Sequence, residues 1–117
     1  MARHDELLAF IAAMADQFGA FHVIGIDPKD GTQLPITEII AEDSDSEICF
    51  VGEAGGANNF VITNFYASLQ DHLERHPDYS LMVSKWFEID SEHIGRADVP
   101  LKGVEVDEQS ETLQLIY

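Results

Sequence analysis

The stretch that decides the fold is Asn64–Asp90, NFYASLQDHLERHPDYSLMVSKWFEID. Its first half has helical spacing: Phe65, Leu69, Leu73 and His76 recur at steps of three and four, with Tyr66 beside them. Asparagine is a good helix cap, so the helix is expected to begin at Asn64. Pro77 cannot continue it, and Pro77–Asp78 turns the chain. From Ser80 the period becomes two. Leu81, Val83, Phe87 and Ile89 fall on one side, and Ser84, Trp86, Glu88 and Asp90 on the other. A helix feeding a long strand through a tight turn predicts a helix laid across a sheet.

Upstream, Arg3 to Phe18 reads as an amphipathic helix. Leu7, Ile11, Met14 and Phe18 make its stripe, and Asp5 and Glu6 suit the positive end of its dipole. Gly19 is a reasonable stop. Phe21 to Ile26 is a short apolar run, hence a strand. Asp27-Pro28-Lys29-Asp30-Gly31 is a strong turn signal, because proline presets φ, aspartate bonds locally and glycine accepts positive φ. It predicts a hairpin into a strand over Gln33–Ala41, which Pro35 makes an edge strand or an interrupted one. Glu42–Glu47 is an acidic loop and Ile48–Val51 a third strand. After the glycine-rich Gly52–Asn59, Phe60–Thr63 suits either a fourth strand paired with Ile48–Val51 or the first turn of the central helix. Downstream, Glu92–Pro100 reads as a loop. Leu101–Val106 and Thr112–Tyr117 read as a hairpin turning at Asp107–Glu111.

Together these predict one α+β domain over residues 1–117. Its sheet is mostly antiparallel, with five to seven strands, and carries an N-terminal helix and a central helix packed on it. At 117 residues and 45% hydrophobic content the chain buries a core without metal or disulfide staples. Cys49 is the sole cysteine, so no intrachain disulfide forms. No basic apolar leader opens the sequence, and no apolar run nears the roughly 18 residues that span a bilayer. The expected address is the cytoplasm.

Charge is the loudest feature. Six Lys and Arg stand against 22 Asp and Glu, a formal net charge of −16. Such a field repels nucleic acid and anionic lipid, and attracts basic protein surfaces. Solubility alone explains a general acidity. A binding role draws on two denser patches, Glu42, Asp43, Asp45 and Glu47, then Glu105, Asp107, Glu108 and Glu111.

No recognisable catalytic, metal or cofactor set is present. Asp43, Asp45 and Glu47 alternate as in calcium loops. Counted from Asp43, however, the required glycine and glutamate are replaced by Ile48 and Ala54. His72 and His76 share a helix face, but Leu73 stands where a zinc protease has glutamate. Cys49 sits among apolar residues, a poor setting for a thiolate. Gly52–Ala57 lacks the lysine of a phosphate loop, and no Gly-x-Ser-x-Gly occurs. Glu88 and Asp90 share a strand face with Ser84 and Trp86, which reads as half-solvated. Trp86 there suits either a contact surface or packing beneath a helix.

In size, acidity, a leading amphipathic helix at Leu7–Phe18 and a first hairpin around Asp27–Thr32, the chain resembles the small acidic chaperones of type III secretion. Those proteins close with a helix, whereas Thr112–Tyr117 is expected to close this chain as a strand, and no residue role carries over. The function expected is that of a non-catalytic binding protein that docks on a basic protein partner, of inhibitor, immunity or DNA-mimic type. The alternative is a small-molecule-binding or enzymatic domain with an aromatic pocket between helix and sheet, lined by Phe65, Tyr66, Trp86 and Phe87. A homodimer through a sheet edge is a third option, because the final strand, Leu113–Tyr117, is apolar enough to need cover.

Overall fold

A computed structural model describes residues 4–117. The elements in chain order are α1 (Asp5–Phe18), β1 (His22–Ile26), β2 (Gln33–Glu42), β3 (Glu47–Gly52), α2 (Ile62–Arg75), β4 (Ser80–Asp90), β5 (His93–Pro100), β6 (Gly103–Asp107) and β7 (Thr112–Ile116). The fold is α+β, with a leading and a central helix, as the sequence predicts. The expected start of the first helix at Arg3 lies outside the described residues.

The seven strands form one sheet in the order β5-β4-β3-β2-β1-β7-β6. Four neighbouring pairs are antiparallel, while β3–β4 and β1–β7 are parallel. A parallel pair needs a crossover. For β3–β4, α2 supplies it. Strands β5 and β6 lie at opposite edges of the sheet, yet only Leu101 and Lys102 separate them. The Leu101 N–H donates to the Leu81 carbonyl (3.0 Å) and the Lys102 N–H to that of Ile116 (2.7 Å). The sheet is therefore rolled until its two edges meet at this joint.

Inside the roll, Ile62, Phe65 and Leu69 of α2 and Ile11 of α1 meet Val23, Leu34, Ile36, Ile48, Phe50, Val83, Leu113 and Leu115. Phe65 packs against Phe50 and Phe60 with ring centroids at 5.4 and 5.9 Å. Each such side chain contributes about 1.5–3 kcal/mol by leaving water. The opposite face carries a smaller buried cluster of Cys49, Val51 and Met82 beside Ile40. Among the described residues no helix is long and apolar enough to cross a membrane.

The structure departs from the expected one at four places. First, α2 starts at Ile62, not at an Asn64 cap. Asn64 lies in the first turn and its Oδ1 accepts the Val61 N–H at 2.8 Å. Ile62 is fully buried, which draws the helix start back. Phe60–Thr63 is thus no strand beside Ile48–Val51, and Val61 instead makes a lone bridge to His22. Second, Glu92–Pro100 is no loop, because His93–Pro100 pairs along β4. Its sequence lacks apolar alternation, so its strand state comes from its neighbour rather than from its own pattern. Third, β2 is central, not an edge. Interruption at Pro35 is real: Gln33–Pro35 pair with β1, residues from Ile36 pair with β3, and the register slips between Ile36 and Glu38. A proline, which has no N–H to give, sits where the strand changes partner. Fourth, β7 lies between β1 and β6, so the closing strand is no exposed edge.

Candidate functional site

The register sends the two acidic turns, β2–β3 and β6–β7, to the end of the sheet where β1 begins. The β4–β5 turn leaves from the opposite end, because β4 starts beside Glu47 and runs away from it.

The eight acidic residues singled out in the sequence have different surroundings. Asp45, Glu105, Glu108 and Glu111 are exposed. Asp43 accepts the Tyr79 hydroxyl at 2.9 Å and has His76 Nε2 at 3.9 Å. Asp107 shapes its own turn, accepting the Gln109 N–H (3.1 Å) and the Ser110 hydroxyl (2.9 Å). Glu42 and Glu47 instead turn onto the far face of the sheet. There Arg96 of β5 reaches Glu42 of β2, Nη2 to Oε1 at 2.6 Å, and its Nε lies 3.1 Å from Asp98 Oδ1. Strands β3 and β4 lie between β5 and β2, so this ion pair must pass over them. That passage closes the face bearing Cys49 and Ser84, both fully buried. Arg96 was hidden from sequence reasoning by the loop assignment of Glu92–Pro100. A lone arginine in an acidic stretch was the available signal.

The donor atoms of Glu47, Cys49 and Asp98 lie within 4.8 Å of one another. Arg96 already supplies positive charge there, and the bond to Glu42 foremost holds the guanidinium's proton more firmly than usual. Burial pushes the Glu47 carboxyl up, and Asp45 and Asp98 add to this. Burial likewise raises the Cys49 thiol, against the opposite pull of the Ser84 hydroxyl. A covered, protonated thiol is a poor nucleophile. The cluster works as a structural clasp. His72 and His76 gain no third ligand among the described residues: His72 Nδ1 bonds the Ser68 carbonyl and His76 stacks on Tyr79.

The expected aromatic pocket does not assemble. Phe65 is in the core and Tyr66 packs at its margin, while Trp86 and Phe87 stand outside both buried clusters. Instead β4 outruns its neighbour. Gly52, the last residue of β3, pairs with Lys85, so Trp86–Asp90 pair only with β5. This projecting hairpin carries Trp86 and Phe87 (44% exposed each), Ile89 (62%) and Ile94 (69%). Phe10 is the one other exposed large hydrophobic among the described residues. Phe87 crosses the hairpin: a Cβ added at Gly95 would lie 2.6 Å from its ring. Trp86, Phe87 and Ile94 line a shallow depression of about 310 Å³ with Glu53, Ala54 and Glu88. All four carboxylates nearby are exposed: Glu53 and Glu88 line the depression, and Asp90 and Glu92 stand at the hairpin tip. At the tip Asp90 accepts the Glu92 N–H (2.8 Å) and bonds His93 Nδ1 (2.8 Å), which holds its carboxyl below the usual range.

No family model, curated protein or solved structure matches the chain.

Proposed function

We propose that the protein is a non-catalytic acidic binding protein that docks on a basic protein partner, with the β4–β5 hairpin as its apolar contact. One observation carries this reading. Four large apolar side chains stand in water on one projection, Trp86 and Ile94 on one face and Phe87 and Ile89 on the other, with exposed carboxylates at its edge and tip. Scattered exposed apolar residues are ordinary, but a cluster with a polar rim marks an interaction surface. Tryptophan is the side chain most enriched among residues that dominate binding energy. The rim and the net charge of −16 select the sign of the partner. A second copy of the chain would bring like charge against like.

The test is affinity capture from the source cell at low and physiological salt, followed by titration of the purified partner. The expected partner is basic. Association slows sharply with added salt, as steering requires. Trp86→Ala weakens binding by about 2 kcal/mol, roughly thirtyfold. A partner held equally well by Trp86→Ala and Ile94→Ser variants, with an on-rate indifferent to salt, would remove the reading. A dimeric molar mass that Ile94→Ser returns to monomer would reassign the hairpin to self-association.

A further inference from the structure

The chain has three lysines, Lys29, Lys85 and Lys102, and all three line one depression of about 220 Å³. They come from distant parts of the sequence. Lys29 lies in the β1–β2 turn, Lys85 midway along β4 and Lys102 in the joint between β5 and β6. The rolling of the sheet brings them together. Tyr117 completes the lining with Val99 and Asp27. The Tyr117 N–H donates to the Ile26 carbonyl at 3.2 Å. Its ring lies over Gly25, where an added Cβ would meet Tyr117 Cε1 and Val83 Cγ1 at 3.3 Å each.

Two facts set this depression apart. Tyr117 is only 5% exposed, yet its buried hydroxyl has no hydrogen-bond partner among the described residues. A buried polar group without a partner costs about 1–3 kcal/mol, so one normally has a partner. None of the three ammonium groups is within ion-pair distance of a carboxylate among the described residues. In a chain with 22 acidic residues that is unexpected. Two carboxylates are close by: Asp27, in the lining, accepts the Lys29 N–H (3.0 Å), and Asp30 accepts the Thr32 N–H (2.8 Å) and feels the charge of Lys85. Three ammonium groups thus stand against two carboxylates, and the local excess is positive.

We propose that this depression binds a small oxyanion, a phosphate or carboxylate group, with Lys29, Lys85 and Lys102 as its cationic partners and the Tyr117 hydroxyl as the donor at its base. Lysine acts here as a point charge with rotatable donors, which suits a compact anion. The volume is roughly seven times a water molecule's share of the liquid, enough for such a group but not for a nucleotide. Burial raises the Tyr117 hydroxyl above its ordinary range, with Asp27 and Asp30 adding to the effect, so it remains a proton donor. Lys85 is the chain neighbour of Trp86, but alternation along β4 sends the two side chains to opposite faces. The depression shares no lining residue with the one beside Trp86 and Ile94, so its test is separate from that of the docking surface.

The test is titration of the whole chain with inorganic phosphate and, separately, acetate, each at an ionic strength fixed with sodium chloride. Amide resonances give the readout. Saturable shifts are expected at Gly25, Lys29, Lys85, Lys102 and Tyr117. Lys85→Gln should weaken binding at least about tenfold, and Tyr117→Phe about three- to tenfold. Saturation by phosphate alone assigns a phosphoryl ligand, and equal saturation by acetate assigns a carboxylate. No saturation by either anion, or shifts matched by chloride alone, overturns the proposal. So does undiminished binding in a Lys85→Gln, Lys102→Gln variant whose circular dichroism is unchanged.

Discussion

Strand β4 contains two environments in one continuous stretch. From Leu81 to Ser84 every side chain is buried, on both faces. From Trp86 to Asp90 every side chain is exposed. Composition does not make the difference, since Trp86, Phe87 and Ile89 are at least as apolar as Leu81, Met82 and Val83. The number of neighbours does. The inner half lies between β3 and β5, with the helix-covered core beneath it and the Arg96 clasp above. The outer half keeps only β5. An apolar residue is buried by what reaches it, and β3 stops at Gly52.

The widest gap between the halves should appear in stability. Leu81→Ala should cost about 2–5 kcal/mol in urea unfolding, the range for emptying a packed core site. Ile89→Ala, 62% exposed, should change stability by no more than about 0.5 kcal/mol. If Ile89→Ala cost as much as Leu81→Ala, something would cover the outer half in solution, and the comparison would fail.

Arg96→Gln should come next, because it strips the cover from the inner half. Glu42 and Asp98 would then face each other across the sheet without a cation. Breaking a fully buried pair costs about 3–5 kcal/mol. Arg96 and Glu42 retain 22% and 29% of their side-chain exposure, so screening reduces the expected loss to about 2 kcal/mol. A second readout separates cover from stability. Cys49 should react with a thiol reagent only through global opening in the native chain, and through a faster local route in the variant. Equal labelling rates would mean that Arg96 does not cover the thiol.

How far these two halves could be read from sequence depends on where the determining interaction lies. The alternation of Leu81, Val83, Phe87 and Ile89 correctly marks a strand, because periodicity is local. The central helix is equally plain in Phe65, Leu69 and Leu73. The face of Ser84, Trp86, Glu88 and Asp90 reads as half-solvated, which holds for the last three but not for Ser84, fully buried under the Arg96 clasp. Exposure of Phe87 and Ile89 is not legible, because it depends on the end of β3, a segment far upstream. His93–Pro100 looked like a loop because it has little pattern of its own and gains its strand state from β4. The candidate sites follow the same rule. The acidic residues are visible in the sequence, but which of them turn inward is decided by Arg96 on another strand. The lysine cluster is invisible along the chain, since its members meet only once the sheet rolls.

Gly95→Ala tests the outer half from within. The new methyl would meet the Phe87 ring at 2.6 Å, so the ring must leave its rotamer or the strands must part. Off-rotamer strain is about 0.5–1.5 kcal/mol. The loss should be local: faster amide exchange from Trp86 to Ala97, with protection from Leu81 to Ser84 unchanged. Exchange accelerated equally along the whole of β4 would show that the two halves unfold as one unit.

The smallest effect sits at the hairpin tip and depends on pH. Asp90 is held below its ordinary 3.8, by the Glu92 N–H first and by His93 next. A carboxyl with a lowered folded value stabilises the fold above its unfolded value. That contribution disappears as pH falls through the lower, folded one. The tip should therefore stay ordered at pH 5 and loosen only below about pH 3.8. Asp90 is exposed, so solvent screens its charge and only the turn should respond. The Glu92 amide resonance should titrate with a midpoint below 3.8, while the amides from Leu81 to Ser84 stay still across the same step. Because the Glu92 N–H donates to this carboxylate, Asp90→Asn should abolish that titration, and the exposed half of β4 would lose its fixed end while the buried half kept its own.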